Sequence, residues 1–336
     1  MSHPVVSVPG SDTAAMSRTT WSDTAGMPLR TRALCFSLAR LQRTTLSEMS
    51  LEQIAASRAL SPAPKFPASL IIGSVTKGVS IDEFSMAGRD GHDITVRRYR
   101  TRRHTDRVLL YIHGGGWVRG RPRDYDSMLS MLTDRADCTV LAPDYRKAPE
   151  HKAPAGLHDS LDVFDWLSHG PAECGTDEPR VVVGGDSAGG NLSALVAIHA
   201  RDHNRELLGQ VLIYPATDLS IVHEMRRAPA LTGGDMDRYK ELYLEGTGLR
   251  DTDPTLSPAR ADLRGLAPAL VQTADRDPLA QEGIDFARML ERAGVRVRLT
   301  RYYGVPHGFL NMPGATSCGH QARMEIADQL NDWWVR

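Results

Sequence analysis

Gly185-Asp186-Ser187-Ala188-Gly189 is a G-x-S-x-G pentapeptide set between two different patterns. Before it, Val181, Val182 and Val183 read as a buried strand; after it, a helical pattern starts at Asn191. A serine at such a turn sits in a strained corner with its hydroxyl presented, while Gly185 and Gly189 keep side chains out of the close strand–helix approach. A Gly-rich strand–helix turn can also be a plain fold junction. Ser187 counts as a nucleophile only if the chain also supplies oxyanion donors, a base and an acid to orient that base.

The donors are offered by His113-Gly114-Gly115-Gly116-Trp117, directly after the apolar run 107–112. Consecutive glycines let two backbone N–H groups point into one cavity, and the Ala188 N–H adds another for a tetrahedral oxyanion. A phosphate-cradling loop is the competing reading, but neither G-K-[ST] nor G-x-G-x-x-G is present. For the acid, Asp275 and Asp277 both close the strand 268–275. Asp275 is nearer the strand and suits a structural role, whereas Asp277, in the loop before Pro278, is better placed to reach across. The local pattern leaves both open. His307 lies in a Gly/Pro loop right after the last strand and is the candidate base. The order Ser187, acid, His307 differs from that of chymotrypsin or subtilisin. Every candidate falls at the carboxyl end of a strand, where open α/β sheets bind ligands. The chemistry these types support is acyl transfer: Ser187 attacks, His307 takes and returns the proton, and the acid steadies the imidazole.

Other clusters are weaker. His151, His158 and His169 with Asp159, Asp162 and Asp165 lack tight metal-ligand spacing and read as a charged helix flank. Asp144, Tyr145 and Arg146 close a strand and suit bracing. Arg119, Arg121 and Arg123 follow the glycine loop; facing the mouth, they would suit a polar or anionic ester.

The elements that must position these residues alternate. Strands are expected near 79–87, 92–100, 107–114, 138–145, 209–217, 268–275 and 295–303, besides the one before Ser187. Asp90-Gly91 predicts a hairpin between the first two. Helical patterns at 154–169, after Ser187, at 279–294 and at 321–335 imply right-handed crossovers and a mostly parallel sheet covered on both faces. Two amphipathic segments between 29 and 60 precede the sheet, the second with a Ser50/Gln53 capping box. The prolines of 61–68 end them. Residues 218–258 are polar, partly helical and long for an α/β loop, so they read as an excursion above the sheet.

Taken together, HGGGW (113–117), DYRKAPEHKAPAGLHD (144–159), GGDSAGGNL (184–192), YPATD (214–218), DRDPLAQEG (275–283) and HGF (307–309) resemble the hormone-sensitive-lipase-like family of α/β-hydrolases, its bacterial carboxylesterases in particular. The likeness spans roughly residues 60–335. It implies an α/β-hydrolase catalytic domain over 61–336, with a helical cap built from 29–60 and from the excursion 218–258. It implies nucleophile Ser187, acid Asp277 and base His307. The oxyanion hole would be Gly115, Gly116 and Ala188, with His113, Gly114, Glu150 and Asp186 in support. It further implies hydrolysis of short- to medium-chain acyl esters through an acyl-enzyme, with no metal or cofactor; many members form homodimers through sheet edges. An amidase, N-acetyl hydrolase or lactone hydrolase would use the same triad. A ligand-binding module that had abandoned chemistry would not need Ser187, Asp277 and His307. The polar character of 218–250 favours soluble esters over long-chain lipids.

Composition sets the outer bounds. With 41% apolar and 24% charged residues the chain is an ordinary globular protein, and a net charge of −1 gives no general pull toward nucleic acid or anionic membrane. Six arginines within 97–107 read as a solvated edge. Cys35, Cys138, Cys174 and Cys318 form no C-x-x-C pair, which fits reduced thiols in the cytoplasm. No run approaches 18 apolar residues, and no apolar stretch follows a basic start, so neither a membrane span nor a secretory signal is expected. Residues 1–31 hold ten Ser or Thr, and a disordered tail is expected over 1–28.

Overall fold

Strands buried on both faces read as continuous apolar runs, and the runs of this chain assemble accordingly. The computed structural model describes residues 20–41, 46–59, 64–103, 105–225 and 228–335. Among them, strands β1 (Ser80–Ala87), β2 (Asp93–Arg100), β3 (Arg107–Ile112), β4 (Thr139–Pro143), β5 (Arg180–Asp186), β6 (Gly209–Ile213), β7 (Ala269–Arg276) and β8 (Val297–Pro306) form one sheet. Its order is β1-β2-β4-β3-β5-β6-β7-β8. The hairpin β1–β2 turns through Gly88–His92, and β2 is also antiparallel to β4. From β4 to β8 every pairing is parallel. The expected mostly parallel sheet is therefore present.

Helices α1 (Leu29–Leu41), α2 (Leu51–Ala59) and α3 (Ser69–Ile72) precede the sheet. They are followed by α4 (Asp126–Ala136), α5 (Ala155–Leu167), α6 (Ala188–Asp202), α7 (Gly233–Leu244), α8 (Ala280–Arg292) and α9 (Gly319–Val335). Along β3, Val108, Leu110 and Ile112 join one core with Leu157 and Phe164 of α5 and Leu192 and Val196 of α6. Leu109 and Tyr111 face the other way, onto Met128 and Leu132 of α4 and Ile326 and Leu330 of α9. Phe286 and Leu290 of α8 complete the covering over Leu212 and Val271. Each such aliphatic side chain contributes roughly 1.5–3 kcal/mol on burial, so the sheet is the rigid platform on which the loops stand.

Three details differ from the expectation. The sequence pattern gives no helix for 126–136, yet α4 is the β3–β4 crossover, stopped by Asp137 in the left-handed region (φ 49°). The helix after Ser187 starts at Ala188 rather than Asn191. Of the tail expected to be disordered, residues 1–19 lie outside the described residues, but 20–28 pack against the body. Thr24 and Met27 are buried, and Arg32 stacks on Trp21.

The segments expected as a cap do meet one another. Ser50 and Gln53 exchange the two hydrogen bonds of a capping box (3.2 and 2.8 Å), and Ile54 of α2 is fully buried in the cluster holding Trp117 and Leu242. The excursion contains α7, capped at its start by the reciprocal Thr232/Asp235 pair. Four of the six arginines of 97–107 are ion-paired: Arg97 with Asp126 and Glu83, Arg98 and Arg100 with Asp82, and Arg103 with Asp137. Among the described residues no helix is long and apolar enough to cross a membrane.

A close backbone crossing lies where α6 passes the end of β3. A Cβ on Gly189 would stand 2.6 Å from the carbonyl oxygen of His113 and closer still to that of Ile112. Both obstacles are backbone, so neither can swing aside. Gly189→Ala is expected to destabilise the protein by about 3 kcal/mol or more, measured by urea unfolding; an unchanged midpoint would contradict this packing.

Candidate active site

Ser187 joins β5 to α6 with φ 56° and ψ −119°, a conformation that costs a non-glycine residue about 1–3 kcal/mol. Hydrogen bonds hold it there: the Ser187 N–H donates to Ile213 O (2.8 Å), and Asn191 N–H donates to Ser187 O (3.0 Å). Gly185 is required beside it, because a Cβ there would overlap the carbonyls of Gly189 and Ile112.

The glycine loop leaves β3 directly opposite. Gly115 (φ 115°), Gly116 (φ 63°) and Trp117 (φ 59°) are all left-handed, and Arg119 N–H closes the turn on Gly115 O (2.8 Å). The Gly114 N–H is already used, donating to Asp186 Oδ1 (2.9 Å) and to the Tyr125 hydroxyl (3.1 Å). Among the described residues no protein acceptor faces the N–H of Gly115 or Gly116. Ala188 is the first residue of α6, where an N–H has no partner within the helix. These three donors surround the cleft beside Ser187.

Asp186 ties the serine turn to this loop. Its buried carboxylate accepts from the Tyr111 hydroxyl (2.9 Å), the Gly114 N–H and the Tyr125 hydroxyl (3.0 Å). Burial pushes its pKa above the ordinary carboxyl value, and the three donors only partly offset that. His113 is buried on the far side of the loop, stacked on Tyr145 at 4.3 Å, with Nδ1–H donating to Gly114 O (2.8 Å). Desolvation, and then the nearby Lys147 ammonium, lower its pKa to about 3. It is therefore a neutral ring that fixes the Gly114 carbonyl.

On the third side, His307 Nδ1 meets Asp277 Oδ2 at 2.6 Å. Asp277 is fully buried, and its other oxygen accepts the Leu279 N–H (2.9 Å). Nδ1 donating to a carboxylate leaves Nε2 as the acceptor. Asp275 goes elsewhere: the β7–β8 register shifts between Ala274 and Arg276, and Asp275 Oδ1 accepts the Val305 N–H there (3.1 Å). Of the two aspartates left open by the sequence, Asp277 is the one brought to His307.

Ser187, His307, Gly115, Gly116, Ala188 and Asp186 thus share one cleft of about 190 Å³. Glu150 does not line it. Expected in support of the site, it is half exposed and pairs with Arg58 of α2 (2.8 Å). Arg58 also donates to Val118 O and Ala148 O, so Glu150 is linked to the loop end through Arg58 of α2. Arg119, Arg121 and Arg123 do not line the cleft either: Arg119 bonds the Tyr239 hydroxyl, Arg121 stands near Asp144 and Lys147, and Arg123 is exposed. In the His/Asp cluster, Asp159 holds Arg146 and His92 while Asp165 holds His199.

Sequence reasoning missed three contributors. Tyr125, which bridges Gly114 and Asp186, stands in an unremarkable polar stretch with no signal of its own. Tyr239 of α7 lies on Gly116, where a Cβ would enter its ring. Glu282 lies inside a quoted motif, but its role needs the fold. It accepts the N–H groups of Thr217 and Asp218 and pairs with His223 Nε2 (2.8 Å), anchoring the start of the excursion.

The lowered pKa of His113 has a pH signature. Between about pH 6.5 and 3 the unfolded chain binds a proton at His113 that the folded protein refuses, so stability falls as pH falls through that window. The contribution approaches about 1.4 kcal/mol per pH unit. His113→Gln is expected to flatten the acid limb of stability against pH, read by urea titrations between pH 7 and 4; an identical slope would refute it.

The chain is similar to several known proteins. A family model described as alpha/beta hydrolase fold matches residues 109–311. The carboxylic ester hydrolase LipN of Mycobacterium tuberculosis is 41% identical over 250 residues, covering 70% of this chain and 65% of LipN, just under two thirds of its length. An ethyl acetate hydrolase of Pseudomonas putida is 35% identical over 256 residues, 73% of this chain and 80% of that protein. Among solved structures, the hyperthermophilic esterase of Pyrobaculum calidifontis superposes with a TM-score of 0.79 at 32% identity, covering 90% of this chain and 98% of that one. Sheet order, serine turn, glycine loop and these likenesses lead to one assignment: the chain belongs to the α/β-hydrolase fold family, in its hormone-sensitive-lipase-like branch.

Proposed function

We propose that the protein is a serine carboxylesterase that cleaves esters of short to medium acyl chains through an acyl-enzyme. The observation that carries this reading is that His307, backed by the buried Asp277 at 2.6 Å, lines the same cleft as Ser187 and two glycines with unpaired N–H groups. Relatives named as a carboxylic ester hydrolase, an ethyl acetate hydrolase and an esterase support it. In the first half, His307 Nε2 removes the Ser187 proton while Oγ bonds to the acyl carbon. The carbonyl oxygen gains the negative charge and is held by the N–H groups of Gly115, Gly116 and Ala188. The tetrahedral carbon then expels the alkoxide, which leaves as alcohol with the proton from His307. In the second half, water gives its proton to His307 and its oxygen to the acyl carbon, and Ser187 departs with that proton, releasing the acid. Asp277 keeps the imidazole in the required tautomer and offsets its transient charge.

The cleft is smaller than the roughly 300–1,000 Å³ usual for drug-sized ligands, which suits small esters. Free thiols at Cys35, Cys138, Cys174 and Cys318 support work in a reducing compartment such as the cytoplasm.

Ser187→Ala is expected to lower kcat on p-nitrophenyl acetate by about 10⁴- to 10⁶-fold, and Asp277→Asn by about 10⁴-fold, with both proteins folded. Asp275→Asn instead costs about 1 kcal/mol of stability and leaves kcat within about tenfold of wild type. Full activity in Ser187→Ala, or reversed effects for the two aspartates, would overturn the assignment.

A further inference from the structure

Arg323, in the first turns of α9, is a buried cation that the reaction described above does not use. It is 4% exposed, and burial lowers its pKa to about 10. Among the described residues no carboxylate pairs with it. A buried guanidinium is costly unless its N–H groups find acceptors. Here Nε–H donates to Leu310 O (2.7 Å) and Nη1–H to Ser127 Oγ (3.1 Å). The two acceptors belong to different elements, and only a planar fork of donors meets both at once.

Those elements are the two halves of the site. Leu310 lies in the short helical turn Phe309–Asn311, directly after His307 and Gly308. That turn follows β8, which is the last strand of the sheet and has a neighbour on one side only. Gly308 is left-handed (φ 74°), so the backbone between base and turn is free to swivel unless the turn is held. Ser127 opens α4 two residues after Tyr125, whose hydroxyl binds both the Gly114 N–H and Asp186 beside Ser187. A chain of contacts therefore runs from Ser187 through Asp186, Tyr125 and Ser127 to Arg323, and from there through Leu310 to His307. Asp277 orients the imidazole, but the backbone that carries it is tied to the nucleophile side by Arg323.

We propose that Arg323 is a positioning residue for the ester reaction: by tying Leu310 O to Ser127 it sets where His307 stands relative to Ser187 and the leaving oxygen. The inference rests on the esterase reading above. A misplaced His307 affects the two kinds of ester differently. An alkoxide leaves only with the proton that His307 returns, whereas p-nitrophenolate is stable enough to leave without it. A tie that merely stabilised the fold would not separate the two.

The test compares kcat/KM, which reports acylation, on p-nitrophenyl acetate and on ethyl acetate, with folding checked by urea unfolding. Arg323→Met is expected to lose about tenfold on the first ester and about 100-fold on the second, through kcat, with KM within about threefold of wild type. Arg323→Lys, which reaches one acceptor at a time, should recover part of both losses. Ser127→Ala removes the far end of the tie and should shift the ratio in the same direction, and the double variant should be no worse than Arg323→Met. Thr316→Val is the control: it removes a hydroxyl from Phe309 O and Met312 O without touching the tie, so it should lower the urea midpoint and leave the ratio unchanged. A folded Arg323→Met enzyme with wild-type rates, or with equal losses on the two esters, overturns the proposal. So does the same change of ratio in Thr316→Val. Wild-type protein that hydrolyses neither ester overturns the esterase reading itself, and the role of Arg323 falls with it.

Discussion

The site depends first on how closely α6 crosses the strands beneath it. At Gly189 the helix backbone comes so near the carbonyls of Ile112 and His113 that no side chain fits, and Gly185 is confined by the same contact. This approach clamps the chain on both sides of Ser187, so its left-handed backbone is over-determined and the strain is retained. The same crossing puts the first turn of α6 against the end of β3, where the glycine loop begins. Ser187 and the N–H groups of the glycine loop are thereby placed by one packing event.

The second dependence is electrostatic. Asp186 is a carboxyl group with little access to water, a costly arrangement unless donors surround it. Tyr111, Tyr125 and the Gly114 N–H meet that need, and in doing so lock the glycine loop to the serine turn. One N–H of the loop is consumed, which leaves the next two as the free donors. His113 works from the opposite side, neutral and stacked on Tyr145, holding the Gly114 carbonyl away from the cleft. The loop is gripped at both its donor and its acceptor by buried partners.

Helix α2 and the 218–258 excursion are attached to the body at a few polar points and shaped by aromatic contacts. Arg58 ties α2 to the end of the glycine loop with help from Glu150, an ion pair that is partly exposed and weak in isolation. Glu282, on α8 and only five residues after Asp277 in the chain, anchors the start of the 218–258 excursion. Between these anchors, Tyr239 and Tyr243 lie on the glycine loop and Trp117, so the roof of the cleft is apolar although 218–250 is polar in sequence. The polar residues of that stretch are in part tied to the body, His223 to Glu282, Asp218 to Arg260 and Lys240 to Asp251.

Fold class, strand order in the chain, and the identity of Ser187, Gly115, Gly116, Ala188 and His307 as candidates were legible because they depend on local rules. Valine runs, glycine at left-handed positions, and placement at strand ends each act over a few residues. Residues 20–28 and α4 were misread because their packing partners, the sheet end and α9, are far away in sequence. The local pattern favoured Asp277 without excluding Asp275, and the β7–β8 register shift is what turns Asp275 to the Val305 N–H while Asp277 meets His307. Glu150, Tyr125, Tyr239 and Glu282 received their roles only from tertiary contacts, because a hydrogen-bond partner is set by the fold and not by spacing. The sequence by itself determined which chemistry the chain can attempt. Only the tertiary structure decided where Asp275 goes, that Glu150 stands away from the cleft, and that Tyr125, Tyr239 and Glu282 take part, because each is a competition among partners that folding alone brings within reach.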